Sequence, residues 1–276
     1  MAAPAVREIT ARSILNRSGI ADYAVNCYTG CQHGCAYCYA RRMAEFANHA
    51  EEWGSFVDVK VNSVDILRRQ AARTLPAEVF LSSVCDGWQP AEVTYRLTRQ
   101  CLDILVSAGF RVSILTKSTL ARRDFDIMKR AAHLRFGVTV TTVDEELRRM
   151  MEPRVPAGAH RLDLVKQAQD AGIRTYVCMG PLLPYLADRG AALERLVKAV
   201  AAAKPESVCV DALNPRRGVW QALVSALRRT HGCLIPSYRR ILFDADARRE
   251  YTDEVRAIVA QLLRAYGLLE KARVFL

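Results

Sequence analysis

The sequence predicts an α/β fold, a partial barrel of six βα units with a helical C-terminal extension, and three observations carry that expectation. Short apolar, β-rich runs alternate with stretches of helical periodicity from residue 78 onward. No block of helices alone or strands alone interrupts the alternation. A cluster of cysteines follows the first strand-like run, and parallel barrels carry their chemistry on the loops after strand C-termini. A doubly wound open sheet satisfies the first two observations and is the alternative.

The elements follow in order. Residues 22–26 (DYAVN) form the first strand, directly before the cysteines. Residues 78–83 (EVFLSS) form the second, and Val93, Leu97, Cys101, Ile104, Leu105 and Ala108 then recur at helical spacing. Residues 111–116 (RVSILT) give the third strand, with a helix near 123–132. Strands over 134–142, 173–180 and 206–213 complete the set, with helices near 160–171, 188–203 and 216–230. Beyond residue 231 the pattern changes: 231–240 reads as irregular, and Val255, Ile258, Val259, Leu262, Leu263 and Tyr266 form one helical stripe ending at Gly267. The organisation expected is an N-terminal extension (1–20), the barrel (21–230) and a C-terminal extension (231–276) with one amphipathic helix.

The opening residues lack the apolar core of a secretory signal, and no apolar run reaches the roughly 18 residues that cross a bilayer. The chain therefore reads as soluble and cytoplasmic, with no membrane partner. Its nine cysteines, an odd number without an export signal, point to metal binding or buried thiols rather than a disulfide framework. A formal charge of +11 favours a polyanionic partner such as nucleic acid. Arginine pairs such as Arg41–Arg42, Arg122–Arg123, Arg216–Arg217 and Arg239–Arg240 are spread along the whole chain, so solvated helix faces account for the same charge.

The chemistry lies between Cys27 and Ala40. Cys31, Cys35 and Cys38 stand at C-x3-C-x2-C, and three thiolates on one loop can hold three irons of a [4Fe–4S] cube while leaving the fourth iron open. S-adenosylmethionine can chelate that iron, and an electron from the cluster then cleaves it to a 5′-deoxyadenosyl radical. A zinc site using His33 lacks the second ligand pair that structural zinc favours. A ferredoxin-like carrier could recruit Cys27, but no Cys-Pro follows; Cys27 is expected to pack beneath the loop.

Gly30 through Ala40 match G-C-x-H-x-C-x-Y-C-Y-A, and further matches are Asp86, Gln89-Pro90-x-Glu92, Leu115 to Ser118, Arg123-Asp124, Glu152-Pro153, Arg161-Leu162 and Gly180-Pro181 with Pro184. With these residues the chain resembles the spore photoproduct lyase family of radical S-adenosylmethionine enzymes, in a short, DNA-repair photolyase-like form. The resemblance covers roughly residues 20–215 and implies a partial TIM-like barrel, a [4Fe–4S] cluster on Cys31, Cys35 and Cys38, and S-adenosylmethionine as cofactor. It further implies an electron donor such as flavodoxin or ferredoxin.

By the same resemblance, Cys85 and Asp86 occupy the family's polar pair for the cofactor amino group, Lys117 the lysine for its carboxylate, and Thr141 a serine that hydrogen-bonds that carboxylate. Tyr37 and Tyr39 match aromatic positions beside the last cluster cysteine; Tyr37 is expected at the cofactor and Tyr39 in a radical relay. Main-chain groups of Met179 and Gly180 are expected to line the adenine pocket, and Glu152 and Arg161 to pair in a structural role that fixes the loop beneath. The family's hydrogen-donor cysteine falls at Ser83, which leaves Cys85, two residues on and expected on the same strand face, as its substitute. Asp211, Asn214 and Arg216 end the sixth strand, where substrate contacts are expected. Three functions compete: radical chemistry on a DNA lesion or nucleotide, radical modification of a peptide or small metabolite, and a non-catalytic iron–sulfur sensor. Asp86 and Lys117 weigh against the sensor, which needs no cofactor contacts.

Overall fold

Each of the six β-rich runs forms a strand. The computed structural model describes residues 4–43, 49–214 and 218–276, and the chain divides into two units, Met1–Gly34 with Met43–Gly137 and Gln167–Thr175, and Cys35–Arg42 with Val138–Lys166 and Tyr176–Leu276. The fold class is α/β, with the succession of parallel strands and helices of a partial TIM-like barrel.

The first unit holds β1 (Ala5–Ile9), β2 (Leu15–Arg17), β3 (Tyr23–Val25), β4 (Tyr28–Thr29), β5 (Phe56–Lys60), α1 (Ser63–Ala71), β6 (Glu78–Leu81), α2 (Glu92–Tyr95), α3 (Leu97–Ser107), β7 (Arg111–Thr116) and α4 (Phe125–Met128). Strands β3, β6 and β7 run parallel, with Val25 opposite Leu81 and Leu81 opposite Ile114, and β2 pairs antiparallel with β3. Val79, Leu81, Val112 and Ile114 of these strands are buried, and Leu102 and Leu105 of α3 are buried with them. A second small sheet, in the order β1-β5-β4, is not visible as a pattern in the sequence. Strand β4 ends one residue before Gly30, so this sheet delivers the chain to the cysteine loop.

Strands β8 (Leu134–Val140) and β9 (Thr175–Leu182) begin in the first unit and end in the second. The second unit continues with α5 (Glu145–Met151), α6 (Gly158–Asp170), α7 (Gly190–Ala202), β10 (Ser207–Ala212), α8 (Val219–Leu227), α9 (Ile235–Phe243), α10 (Ala245–Ala265) and β11 (Ala272–Phe275). Strands β9, β10 and β11 run parallel, with Cys178, Cys209 and Arg273 in one row.

Three differences from the sequence reading have physical causes. The stripe from Val93 to Ala108 breaks at Arg96, whose φ of +52° ends α2; the turn lets the Glu92 carboxylate accept the N–H groups of Thr98 and Arg99 at 3.0 Å and cap α3. Residues 231–240 contain a helix rather than irregular chain, because Pro236 sits in the first turn of α9, where its missing N–H costs nothing. Strand β11 extends the parallel set beyond the six expected strands. Among the described residues no helix is long and apolar enough to cross a membrane.

Candidate active site

In the first unit the leading half of the cysteine loop is fixed by two glutamines. Gln89, wholly buried, accepts the Gln32 N–H at 2.8 Å and donates to the Gly30 carbonyl at 3.3 Å. Gln32 accepts the Ala91 N–H at 2.6 Å in return. Gly30 turns with φ +89°, and a Cβ there would lie 2.6 Å from the Phe56 carbonyl oxygen, so only glycine passes beneath β5 to reach Cys31. The sequence carries Gln89 only as part of a matched motif; its role as a clamp needs the fold.

Asp86 is buried after β6 and ties strand ends together. It accepts the Thr116 hydroxyl at 2.7 Å, the Trp88 N–H at 2.9 Å and the Lys117 main-chain N–H at 2.8 Å, with His33 Nδ1 3.4 Å away. Lys117 thus meets Asp86 through its backbone. Beside this lies a buried ionic network in which Glu92 accepts the Tyr28 hydroxyl and Arg123 at 2.7 Å, while Asp124 accepts Trp88 Nε1 at 2.7 Å and Arg99 at 2.9 Å. Burial and the Glu92 carboxylate hold the Tyr28 phenol well above its usual range.

The strand-face argument that grouped Cys85 with Ser83 does not hold. Strand β6 stops at Leu81 and Ser82 takes φ +69°, so the alternation that fixes side-chain faces ends before either residue. Asn26 links the two differently: its amide nitrogen donates to the Ser83 hydroxyl at 3.1 Å and its Oδ1 accepts from the Cys85 thiol at 4.0 Å. Burial pushes the Cys85 thiol up to about 12, so it stays protonated at neutral pH. Cys27 packs beneath the loop as expected, its sulfur 3.4 Å from that of Cys101.

In the second unit the trailing half of the loop is held just as firmly. Arg41 donates to the Cys35 carbonyl at 3.0 Å, and the Ala36 N–H donates to the Met151 carbonyl at 2.8 Å. The buried Tyr37 hydroxyl donates to Glu152 and lies 3.0 Å from Thr141 Oγ1. Burial, then the Glu152 charge, raises the Tyr37 phenol well above its usual range. Thr141 donates to the Gly180 carbonyl at 2.7 Å. Glu152 and Arg161 form a fully buried ion pair at 2.5 Å, and Arg161 also donates to the Thr139 carbonyl at 2.6 Å. The hydroxyls of Tyr37 and Thr141 are therefore engaged with protein groups. Gly180 packs so closely on β10 that a Cβ would lie 3.0 Å from that of Asp211. Tyr39 opens a short 3-10 turn and is half exposed, at 49%. Asp211 and Asn214 are exposed, while Arg216 lies outside the described residues.

A sequence model of the radical SAM superfamily matches residues 25–206 of this chain. The chain belongs to that superfamily. This radical SAM enzyme is 35% identical over 183 residues to an uncharacterized protein of Methanocaldococcus jannaschii, covering 66% of this chain and 69% of the relative. It is 33% identical over 279 residues to an uncharacterized protein of Mycobacterium tuberculosis, covering 95% and 81% respectively. Spore photoproduct lyase complexed with dinucleoside spore photoproduct shares its fold with a TM-score of 0.73 at 14% identity, over 98% of this chain and 81% of the other. A variant of that lyase with bound S-adenosylmethionine and dinucleoside spore photoproduct gives 0.74, over 98% and 82%.

Superfamily membership implies an iron–sulfur cluster and S-adenosylmethionine. The donor set fits a cluster: Cys31, Cys35 and Cys38 are thiols on one loop, buried or half-buried, with the backbone on either side anchored by the contacts above.

Proposed function

We propose that this enzyme holds a [4Fe–4S] cluster through Cys31, Cys35 and Cys38 and acts by radical chemistry on a DNA lesion or nucleotide-like substrate. When bound, cluster and S-adenosylmethionine together supply a 5′-deoxyadenosyl radical. The observation that carries the substrate class is the fold shared with spore photoproduct lyase over 98% of the chain, its C-terminal helices included; the +11 charge suits a polyanion.

In this reading Lys117 would offer its ammonium to the cofactor carboxylate, while Asp86, already accepting the Lys117 N–H, sets that residue's position and would hold the cofactor amino group by its negative charge. Tyr37 acts through the side chains of Glu152 and Thr141 that its hydroxyl meets, and Thr141 by fixing the Gly180 carbonyl. Cys85, protonated at neutral pH, offers an S–H hydrogen, and the exposed Tyr39 serves as relay. A flavodoxin or ferredoxin in the cytoplasm provides the electron.

A second reading, modification of a peptide or small metabolite, is favoured by Ser83 standing where the lyases carry their hydrogen-donor cysteine. The deciding experiment is anaerobic reconstitution with S-adenosylmethionine and dithionite, followed by incubation with deuterated lesion-containing DNA. Deuterium in 5′-deoxyadenosine supports the nucleic-acid reading. Transfer only from labelled peptides or metabolites rejects it.

A further inference from the structure

Strands β9, β10 and β11 place Cys178, Cys209 and Arg273 side by side in register. The two sulfurs are 3.6 Å apart. A disulfide is about 2.05 Å long and joins Cα atoms roughly 4.4–6.8 Å apart, a window that includes neighbouring strands at about 4.8 Å. Closing the gap takes about 1.5 Å of sulfur movement, within reach of modest side-chain rotation and without moving the strands.

The chain carries a built-in comparison. Cys27 and Cys101 are closer, at 3.4 Å, yet both are wholly buried, and the hydrogen bond with Cys101 together with burial holds the Cys27 thiol far above its ordinary range. A thiol so buried and so protonated is a poor nucleophile. Cys209 differs on both counts. It is half-buried, and its thiol is lowered by the hydrogen bond with Cys178 and, more weakly, by the Arg273 guanidinium, against the opposing effects of burial and Asp211. Cys178 beside it is buried, the arrangement of an accessible attacking thiol with a sheltered partner.

We propose that Cys178 and Cys209 form a redox-active dithiol, a reversible modification site that closes to a disulfide by exchange with a low-molecular-weight disulfide of the glutathione class. The Cys209 thiolate attacks one sulfur of the small disulfide, breaking its S–S bond, expelling one small thiolate and leaving a mixed disulfide on Cys209. Cys178 then gives up its proton and attacks the Cys209 sulfur, expelling the second small thiolate. The two protons lost by the cysteines end on the two small thiols. The protein is oxidised by two electrons and the small disulfide is reduced by two.

The test uses the full-length protein, handled anaerobically and treated with oxidised glutathione. Acid quenching, alkylation and peptide mass mapping then read each cysteine separately. The expected product is a peptide pair linked through Cys178 and Cys209, lighter by two hydrogens and separated again by dithiothreitol, while Cys27 and Cys101 become alkylated only after unfolding. Cys178→Ser should trap a glutathionyl group on Cys209. Cys209→Ser should leave Cys178 with roughly tenfold less adduct, because the buried thiol lacks access. The proposal is overturned if Cys178 and Cys209 both remain thiols when the exposed Cys233 is fully modified. It is equally overturned if Cys209 carries a stable glutathionyl group in the wild type and no cross-link forms.

Discussion

Gln89 offers the sharpest test of how the cysteine loop is held. Its amide accepts the Gln32 N–H at 2.8 Å and donates to the Gly30 carbonyl at 3.3 Å, and all three residues are buried. Gln89→Ala strands one backbone donor and one backbone acceptor. Each buried unsatisfied group costs about 1–3 kcal/mol, the longer bond at the lower end, and water entering the vacated space offsets part of the loss. The expected destabilisation is about 2–4 kcal/mol. Gln89→Leu fills the space without the polar contacts and separates hydrogen bonding from cavity formation. Gln89→Glu keeps the acceptor but turns a carboxylate oxygen toward the Gly30 carbonyl, so it should rescue neither stability nor cluster binding. Urea unfolding followed by circular dichroism gives the stability, and iron per chain after anaerobic reconstitution reports the loop. If Gln89→Ala and Gln89→Leu both unfold within roughly 0.5 kcal/mol of the wild type, the glutamine is no clamp and the reasoning fails.

Four further outcomes are expected. Cys31→Ala, Cys35→Ala and Cys38→Ala should each abolish bound iron and acid-labile sulfide, whereas Cys27→Ala, which removes only the sulfur packed on Cys101, should retain both. Glu152→Gln leaves the buried Arg161 guanidinium without its counter-charge and should cost about 3–5 kcal/mol in thermal or urea unfolding; a neutral result would mean that the pair is dispensable. The Cys85 thiol, pushed up to about 12 by burial, favours the fold while it is neutral. Because the unfolded thiol ionises near its ordinary value of 9.0, stability from this group is fully present below that pH and lost as pH rises toward about 12. Cys85→Ala should flatten that alkaline decline relative to the wild type, and superimposable pH profiles would contradict the assignment. Fluorescence anisotropy with duplex DNA, measured anaerobically, should give a log–log salt slope of roughly −4 or steeper if several phosphates are contacted; a shallow slope with negligible affinity near physiological salt removes nucleic acid from the proposal.

The identity of the elements was legible in the chain because each of the six expected strands buries at least one apolar face, and β8 and β9 are buried along most of their length. Val79 with Leu81, Val112 with Ile114, and Val208 with Val210 stand two residues apart on the buried face of their strands, so each strand announces itself as a short apolar run between helical stripes. The cysteine motif was legible for a different reason: the three thiols proposed as ligands lie within one loop, so their spacing is read directly from the chain. Even the Glu152–Arg161 pair was anticipated, through a family resemblance carried by local sequence.

What escaped the sequence depends on partners far along the chain. Residues 5–9 become a strand only because Phe56–Lys60 lies alongside, a pairing across about fifty residues that no local pattern encodes. Gln89 clamps a loop 57 residues before it, and the matched motif around it carries no sign of that partner. The break at Ser82 illustrates the opposite failure: β-propensity carried the second strand through residue 83, but a left-handed residue after Leu81 ended it and cancelled every inference from alternation beyond that point. Cys178 and Cys209 read as isolated thiols in separate apolar runs, and parallel register alone made them neighbours. The sequence by itself determined the six βα units and picked out the three thiols proposed as cluster ligands, because hydrophobic periodicity and short spacing are local. The tertiary structure alone decided which polar groups secure the loop and which thiols meet, because a hydrogen bond or a sulfur contact requires two groups within a few ångströms, and only the folded register brings them there.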